Sequence, residues 1–286
     1  MNMKNTLRAV SAAAVLAAAS MSASAGYQVL DRWQMNVPAF LPSLTTDIGH
    51  LVVGGGIANV KQEVNALNQA FVGAKFSESG NVFSLSYIKE NSTGSGDSGP
   101  LQLFKPFGLA QLELVFSDIA GTVVALNAGG GFHYSFDSGT FALRATNDAF
   151  GSYTTYASGS IVGLGGNTAS TGVIGGAAGD SALLATVIGQ LGFDVKDSSG
   201  VSLAPEMAVG KVLWQATTTN KIDNTSASYG TCDFGLGHNG VKCLNVNVTS
   251  EGAIDTVRVV PEPATLALTG LALVGLGLAR RRNAAK

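Results

Sequence analysis

The sequence predicts an all-β protein: an antiparallel β-sandwich or jelly roll with one or two short helices, followed by a single transmembrane helix at the C-terminus. Short runs of β-branched and aromatic residues recur along the chain, and clusters of Gly, Ser, Asn and Asp separate them. Glycine accounts for 37 of the 286 residues, against an average of ~7%. Because charged residues make up only 13% of the chain, it is apolar as well as rich in turns.

Eleven segments between the two ends are predicted strands, because each joins strand-forming residues and is bounded by turn residues. In residues 83–88 and 140–144, apolar and polar side chains alternate, which indicates one buried and one solvent-facing side. The predicted strands are 27–37, 50–57, 82–88, 110–116, 122–127, 132–136, 140–146, 153–160, 209–218, 244–249 and 253–259.

Two segments depart from the strand pattern because their apolar residues recur at helical spacing. These residues are Val60, Val64, Leu67 and Phe71 in the first segment, and Leu183, Leu184, Val187, Ile188 and Leu191 in the second. They predict two short helices, each covering an edge or an end of the sheet. Residues 91–100 are predicted to form a flexible polar loop, and the glycine-rich residues 163–176 either a long loop or a pair of strands. No repeat or linker divides the body, which predicts one domain.

The N-terminus has the three-part layout of a secretory signal peptide. Lys4 and Arg8 precede an apolar run from residue 9 to about residue 21, and Ala23 and Ala25 place small side chains before Gly26. Residues 1–25 are therefore predicted to be removed by signal peptidase, with a buried N-terminal helix as the alternative. Export would place the body in an oxidising compartment.

The C-terminus contains three elements in order: a Pro-Glu-Pro motif, an uncharged apolar run and an arginine cluster. They comprise Pro261, Glu262 and Pro263, then residues 264–279, then Arg280, Arg281 and Arg282. As a helix the apolar run would be about 24 Å long, slightly short of a ~30 Å hydrocarbon core. The arginines would stay in the cytoplasm, which predicts a marginal, transient anchor in the inner membrane with the body outside.

This combination resembles the PEP-CTERM sorting signal of Gram-negative bacteria. The resemblance implies processing by an exosortase, for which Pro261, Glu262 and Pro263 would be the recognition residues, and delivery to the cell surface or extracellular matrix of exopolysaccharide-producing cells. An ordinary tail anchor is the alternative. The predicted boundaries are 1–25 for the signal peptide, 26–259 for the β-rich body and 260–286 for the sorting signal.

The charge distribution argues against nucleic-acid binding. Six of the 17 basic residues lie in the two ends, but only one of the 19 acidic residues does. The body is therefore more acidic than the net charge of −2 suggests, whereas a nucleic-acid-binding surface would carry a basic patch.

The two cysteines are predicted to form a disulfide. Cys232 and Cys243 form an even pair in an exported chain, with a short glycine-rich segment between them. In the alternative interpretation both thiolates would join His238 at a metal, but the segment offers no fourth ligand and structural zinc sites use four. No metal and no cofactor is predicted.

Several shorter motifs have a chemical and a structural interpretation. Residues 96–100 resemble the nucleophile segment of chymotrypsin-type serine proteases, without one of its glycines, but the loop interpretation is preferred. Residues 53–58 are interpreted as a turn rather than a phosphate-binding loop, and residues 194–200 as a β-turn rather than a calcium site. His50, His133 and His238 have no metal-like spacing. The aromatic residues are interpreted as core, with a sugar-stacking platform as the alternative; they are Trp33, Trp214, Tyr87, Tyr134, Tyr153, Tyr156 and Tyr229.

These features predict a noncatalytic, exported protein that acts in floc or biofilm cohesion, through exopolysaccharide or through self-association. The segment 193–203 leading into 209–223, together with the signal, the all-β body and the tail, is similar to flocculation-associated PEP-CTERM proteins, for which no catalytic residues carry over. The alternative is a secreted carbohydrate-binding module or a polysaccharide hydrolase, since strands can bring together two distant carboxylates.

Overall fold

The computed structural model describes residues 26–38, 45–90, 97–102, 111–127, 131–146, 152–163, 165–168 and 178–260. The chain divides into two compact units, one formed by residues 29–258 and one by the two ends, 1–28 and 259–286. The described residues of the end unit are extended and belong to β1 (Gly26–Val29) and to the last two residues of β14. The unit formed by residues 29–258, here called the body, contains the remaining elements.

The described part of the body consists almost entirely of strands. They are β2 (Trp33–Asn36), β3 (Thr45–Glu63), β4 (Lys75–Glu90), β5 (Asp97–Gln102), β6 (Gln111–Leu126), β7 (Phe132–Thr146), β8 (Thr154–Gly163), β9 (Gly165–Thr168), β10 (Ala178–Ala185), β11 (Ile188–Gly189), β12 (Asp194–Asp197), β13 (Val212–Cys232) and β14 (Val241–Val260). One short helix, α1 (Ala204–Ala208), lies between β12 and β13.

Eight of these strands form an antiparallel sheet that closes on itself. The order around the ring is β3, β4, β6, β7, β8, β10, β13 and β14, and β14 pairs with β3 to complete it, from Cys243 opposite Glu63 to Ile254 opposite Leu51. The order of the strands around this ring follows the chain, so neighbours in sequence are neighbours in space. The expectation of a mostly antiparallel β protein is confirmed, whereas the predicted sandwich or jelly roll is wrong because these strands form a single closed sheet.

The strands are longer than the sequence predicted, because several expected turns are irregularities within one strand. Predicted strands 110–116 and 122–127 are two halves of β6, and 132–136 and 140–146 are two halves of β7. The register shifts between these halves, where Asp118 has φ 53° and Gly139 has φ 150°. Such bulges bend a strand without ending it, so polar and glycine residues here curve the sheet.

The glycine run at residues 53–58 is also a bulge, and its predicted turn is wrong. It lies inside β3, where Val53 pairs with Gly252 and Gly56 with Ser250, so that β3 has one residue more than β14 over this interval. Gly55 has φ 65°, a conformation that glycine adopts without steric cost.

The two predicted helices are wrong, and the observed helix was not predicted. Val60 belongs to β3 and Leu183 to β10. A helix over 60–71 would bury one apolar stripe, but Leu67 is 76% exposed and lies in the connection between β3 and β4. α1 begins at Ala204 and has Pro205 in its first turn, where the missing N–H of proline is not needed.

The core occupies the interior of the closed sheet and continues over β2, β12 and α1. β2 pairs with the beginning of β3, and β12 pairs with β2. These elements contribute side chains that are at most 4% exposed to the same apolar cluster as the sheet residues Leu51 and Leu143: Trp33, Met35, Val195, Leu203 and Met207.

The remaining predictions concern segments that the structure describes only in part or not at all. Among the described residues no helix is long and apolar enough to cross a membrane, and the predicted helix over 264–279 lies outside them. The signal-cleavage residues Ala23 and Ala25 also lie outside them. Of the predicted polar loop at residues 91–100, residues 97–100 belong to β5, which pairs with β4, so the loop prediction is wrong for these residues. Of the glycine-rich segment, residues 165–168 form one strand, β9, which pairs with β7 and β10, and residues 169–176 lie outside the described residues.

The predicted disulfide between Cys232 and Cys243 is confirmed. Their Cα atoms are 5.8 Å apart, and the bond joins the adjacent strands β13 and β14, in which Cys232 pairs with Val241 and Cys243 with Gly230. Because both sulfurs bond to each other, neither is free to bind a metal as a thiolate.

Replacing both cysteines with alanine is expected to lower the free energy of unfolding by about 3 kcal/mol, because the unfolded chain then loses the constraint of the closed loop. Denaturant unfolding of the variant and the wild type measures the difference. Reduction of the wild type is the control, and it should cause a similar loss while leaving the double variant unchanged. A double variant as stable as the oxidised wild type would contradict the prediction.

Candidate functional sites: the interior cavity and the sorting tail

The interior of the closed sheet contains a cavity of about 80 Å³. Its lining comes from inward-facing positions on β3, β4, β6, β7, β8, β10, β13 and β14. The wall is mostly aliphatic and aromatic, and the polar residues in it are Glu78, Ser181, Thr218 and Ser250. Because alternate residues of a strand point to the same side, the closed sheet gathers these side chains from distant parts of the sequence.

Beside the cavity, side chains from four strands form what we call the interior polar cluster: Tyr134, Ser181, Thr218, Asn220 and Ser250. The Ser181 and Thr218 hydroxyls are 2.6 Å apart, and Asn220 Nδ2 donates to Ser181 Oγ at 3.1 Å. Ser250 donates to Asn220 Oδ1 at 2.7 Å, and Tyr134 bonds with Ser181 and Asn220. The cluster therefore satisfies most of its own polar groups inside the sheet.

Glu78 is the one ionisable residue in the cavity wall. It lies on β4 two residues after the buried Phe76, so both side chains face the interior. Removal from bulk water raises the pKa of Glu78 to about 7, because burial disfavours the charged form. Among the described residues Glu78 has no ion-pair partner. Burial also raises the pKa of Tyr134, and the carboxylate of Glu78 raises it further.

Trp214 contributes an unpaired donor to the same region. It is 3% exposed, it stacks on Phe141 with ring centroids 5.6 Å apart, and Phe193 meets it edge-on at 6.2 Å. Its Nε1–H is buried and has no acceptor among the described residues. Trp33 differs, because its Nε1–H donates to the carbonyl oxygen of Gly49 at 3.2 Å.

The sequence contained little evidence for this cavity. Its polar residues are spread over β4, β10, β13 and β14, and no short motif contains them. One pattern could have indicated it: Thr218 and Asn220 continue the inward-facing series of Trp214 and Ala216 on β13 with polar side chains.

The disulfide-bonded loop is held against β3 by a hydrogen bond between His238 and Glu63. Nδ1 of His238 lies 2.8 Å from Oε2 of Glu63, and the same oxygen accepts the backbone N–H of Lys75 at 2.9 Å. His238 thus has a structural partner, and the two sulfurs expected beside it in a metal site are bonded to each other.

The C-terminal tail matches a known sorting motif. The family model for the PEP-CTERM protein-sorting motif matches residues 259–282. The chain carries a PEP-CTERM sorting motif. No curated protein and no solved structure matches the chain. The motif includes the predicted recognition and anchoring residues, which lie outside the described residues: Pro261, Glu262, Pro263, Arg280, Arg281 and Arg282.

The PEP-CTERM motif indicates processing by an exosortase, export, and a destination at the cell surface or outside the cell. An oxidised disulfide in the body agrees with such a destination. The body therefore does its work outside the cytoplasm.

In the body, several carboxylates pair with basic or histidine side chains. Within the described ranges these pairs are Lys75 with Asp137, Arg144 with Glu113, His238 with Glu63 and Arg258 with Glu206.

The other sequence motifs have structural roles. In the predicted turn at 194–200, Asp197 Oδ1 accepts the backbone N–H groups of Ser199 and Val201 at 2.9 and 3.0 Å, and Gly200 has φ 83°. His133 lies on β7 and is exposed. Three aromatic residues offered as a sugar-stacking platform are instead core, at 0–7% exposed: Trp33, Trp214 and Tyr156.

Proposed function

We propose that this protein is a noncatalytic component of the cell surface or extracellular matrix that contributes to the cohesion of flocs or biofilms, through contact with exopolysaccharide or with further copies of itself. The observation that carries the proposal is the PEP-CTERM motif at residues 259–282, which indicates delivery to the cell surface. The similarity of the chain's layout to flocculation-associated PEP-CTERM proteins supports the cohesive role.

The body has properties that suit a structural protein outside the cell. Its sheet has no free edge along the ring of eight strands, and a disulfide joins two of these strands. Closed sheets avoid uncontrolled edge pairing, so contacts with other molecules would involve the outer side and the connecting loops. The two most exposed large apolar side chains of the described residues lie in such loops, Leu236 at full exposure and Leu67 at 76%.

Deleting the gene is expected to reduce aggregation of cells in liquid culture without changing the amount of exopolysaccharide secreted. The wild-type gene should restore aggregation. The Glu262→Ala variant should not, because it removes the carboxylate of the recognition motif and is expected to remain in the inner membrane. Settling rate, secreted polysaccharide and the mass of the surface protein measure the three effects.

A deletion strain that aggregates normally would refute the cohesive role. If Glu262→Ala protein has the same mass and location as the wild type, Glu262 is not needed for exosortase processing. The mode of contact has its own assay, in which purified protein is incubated with the host's exopolysaccharide. Retention without chain shortening indicates binding, chain shortening indicates a hydrolase and contradicts the noncatalytic proposal, and the absence of both indicates self-association.

A further inference from the structure

The cavity in the closed sheet is larger than packing defects in protein interiors usually are. Interiors contain few voids larger than a water molecule, and one water needs only ~10–15 Å³ of cavity volume. This cavity measures about 80 Å³ and is lined by residues from all eight strands of the ring. Leu114, Phe116 and Leu183 are among the large side chains that surround it without filling it.

Two polar groups at this cavity have no protein partner among the described residues. The Nε1–H of Trp214 is buried and unpaired, and the carboxyl of Glu78 makes no hydrogen bond or ion pair with a described residue. Buried polar groups nearly always have partners. The nearby interior polar cluster follows this rule, since its hydroxyl and amide groups bond to one another. The contrast identifies Trp214 and Glu78 as the groups with unused bonding capacity.

The composition of the wall indicates the charge of a suitable occupant. Among the described residues of the wall, none is a basic residue that could pair with an anion. Its one acidic residue, Glu78, has its pKa raised to about 7 by burial, so the carboxyl is protonated in mildly acidic solution and can both donate and accept a hydrogen bond. A cluster of waters is a poor occupant, because most of the wall is apolar and would offer the waters few hydrogen-bond partners.

We propose that this cavity binds a small uncharged molecule that is mainly apolar and carries one hydrogen-bonding group, which bonds to the carboxyl of Glu78. The apolar part of the ligand occupies the space between the aliphatic and aromatic side chains. This binding site is independent of the sorting tail and of the cohesive role proposed above.

Isobutanol, isobutylammonium and isobutyrate test the proposal, because they share a branched carbon frame and differ in charge. The full-length chain is labelled with ¹⁵N at its two tryptophans, and Trp33→Phe identifies which indole signal belongs to which residue. At pH 6, isobutanol is expected to shift the Trp214 indole signal saturably. The Trp33 signal should not move, since its N–H is already bonded to Gly49 and Trp33 does not line the cavity.

Filling the cavity provides the matched control. Ala216→Leu, or Ala185→Leu if the first variant does not fold, adds a large side chain to the wall and should weaken isobutanol binding at least tenfold. Glu78→Leu should weaken it several-fold, whereas Glu78→Gln keeps a hydrogen-bonding group and should retain it. The proposal is overturned if isobutanol gives no saturable shift, if both indole signals move together, if the shift survives in a folded cavity-filled variant, or if a charged analogue binds more tightly.

Discussion

Replacing Arg144 with methionine is expected to lower the free energy of unfolding by about 3–5 kcal/mol, the cost of leaving a buried charge unpaired. Arg144 donates from Nε to Oε1 of Glu113, which is only 1% exposed. The two residues are directly opposite each other on β6 and β7. The guanidinium also lies 4.7 Å from the ring centre of Tyr153, so methionine keeps the apolar stem but removes the charge from both contacts. Denaturant unfolding at neutral pH measures the loss.

The chain offers a matched control for this substitution. Arg258 donates to both carboxylate oxygens of Glu206, at 2.9 and 3.2 Å, but these side chains are 38% and 39% exposed. Arg258→Met should therefore cost about 0–1 kcal/mol, as exposed pairs do. The double variant Glu113→Leu with Arg144→Met should recover much of the stability, because no buried charge remains. Equal losses for Arg144→Met and Arg258→Met would show that burial does not set the strength of the first pair.

The positions of the strands could be predicted from the sequence better than their arrangement. Runs of β-branched and aromatic residues predicted the strand segments well, because they report local preference and burial. The glycine and polar residues near Asp118, Gly139 and Gly252 were interpreted as turns between short strands. In a closed sheet the same residue types bend long strands. At Gly252 a side chain would meet the backbone at Thr217 on the paired strand, and a sequence does not show which strand will approach so closely.

The sorting motif could be predicted from the sequence, whereas the cavity could not. The elements of the sorting motif follow one another along the chain, so residues 261–263 and 280–282 could be identified without a fold. The disulfide could be predicted because its half-cystines are only 11 residues apart. The cavity depends on Glu78, Ser181 and Trp214 meeting across the closed sheet. That contact follows from ring closure between β3 and β14, which no local pattern encodes.

Ionisation of Glu78 is expected to make the body less stable as the pH rises from 4 to 8. The pKa of Glu78 rises from its ordinary 4.5 to about 7 in the folded state. Below pH 4.5 the carboxyl is protonated whether or not the chain is folded. Between pH 4.5 and pH 7 the carboxyl ionises in the unfolded chain but stays mostly protonated in the folded chain. Ionisation therefore stabilises the unfolded state relative to the folded state. The shift corresponds to a loss of about 3 kcal/mol that is complete above pH 7.

Glu78→Gln isolates this contribution, because glutamine has a similar shape and does not ionise. The titration of two other groups also contributes to the pH-dependent stability of the wild type. Burial raises the pKa of Asp255, and hydrogen bonds from Thr122 and Ser135 lower the pKa of Asp137. Tyr134 is the titratable group that faces Glu78 from β7. The difference between wild type and variant in urea unfolding, measured from pH 4 to pH 8, removes these shared effects, and the exposed Glu251→Gln controls for the loss of one charge. If the difference stays constant across this range, the folded-state pKa of Glu78 is not raised, and the interior of the closed sheet is open enough to solvate a carboxylate.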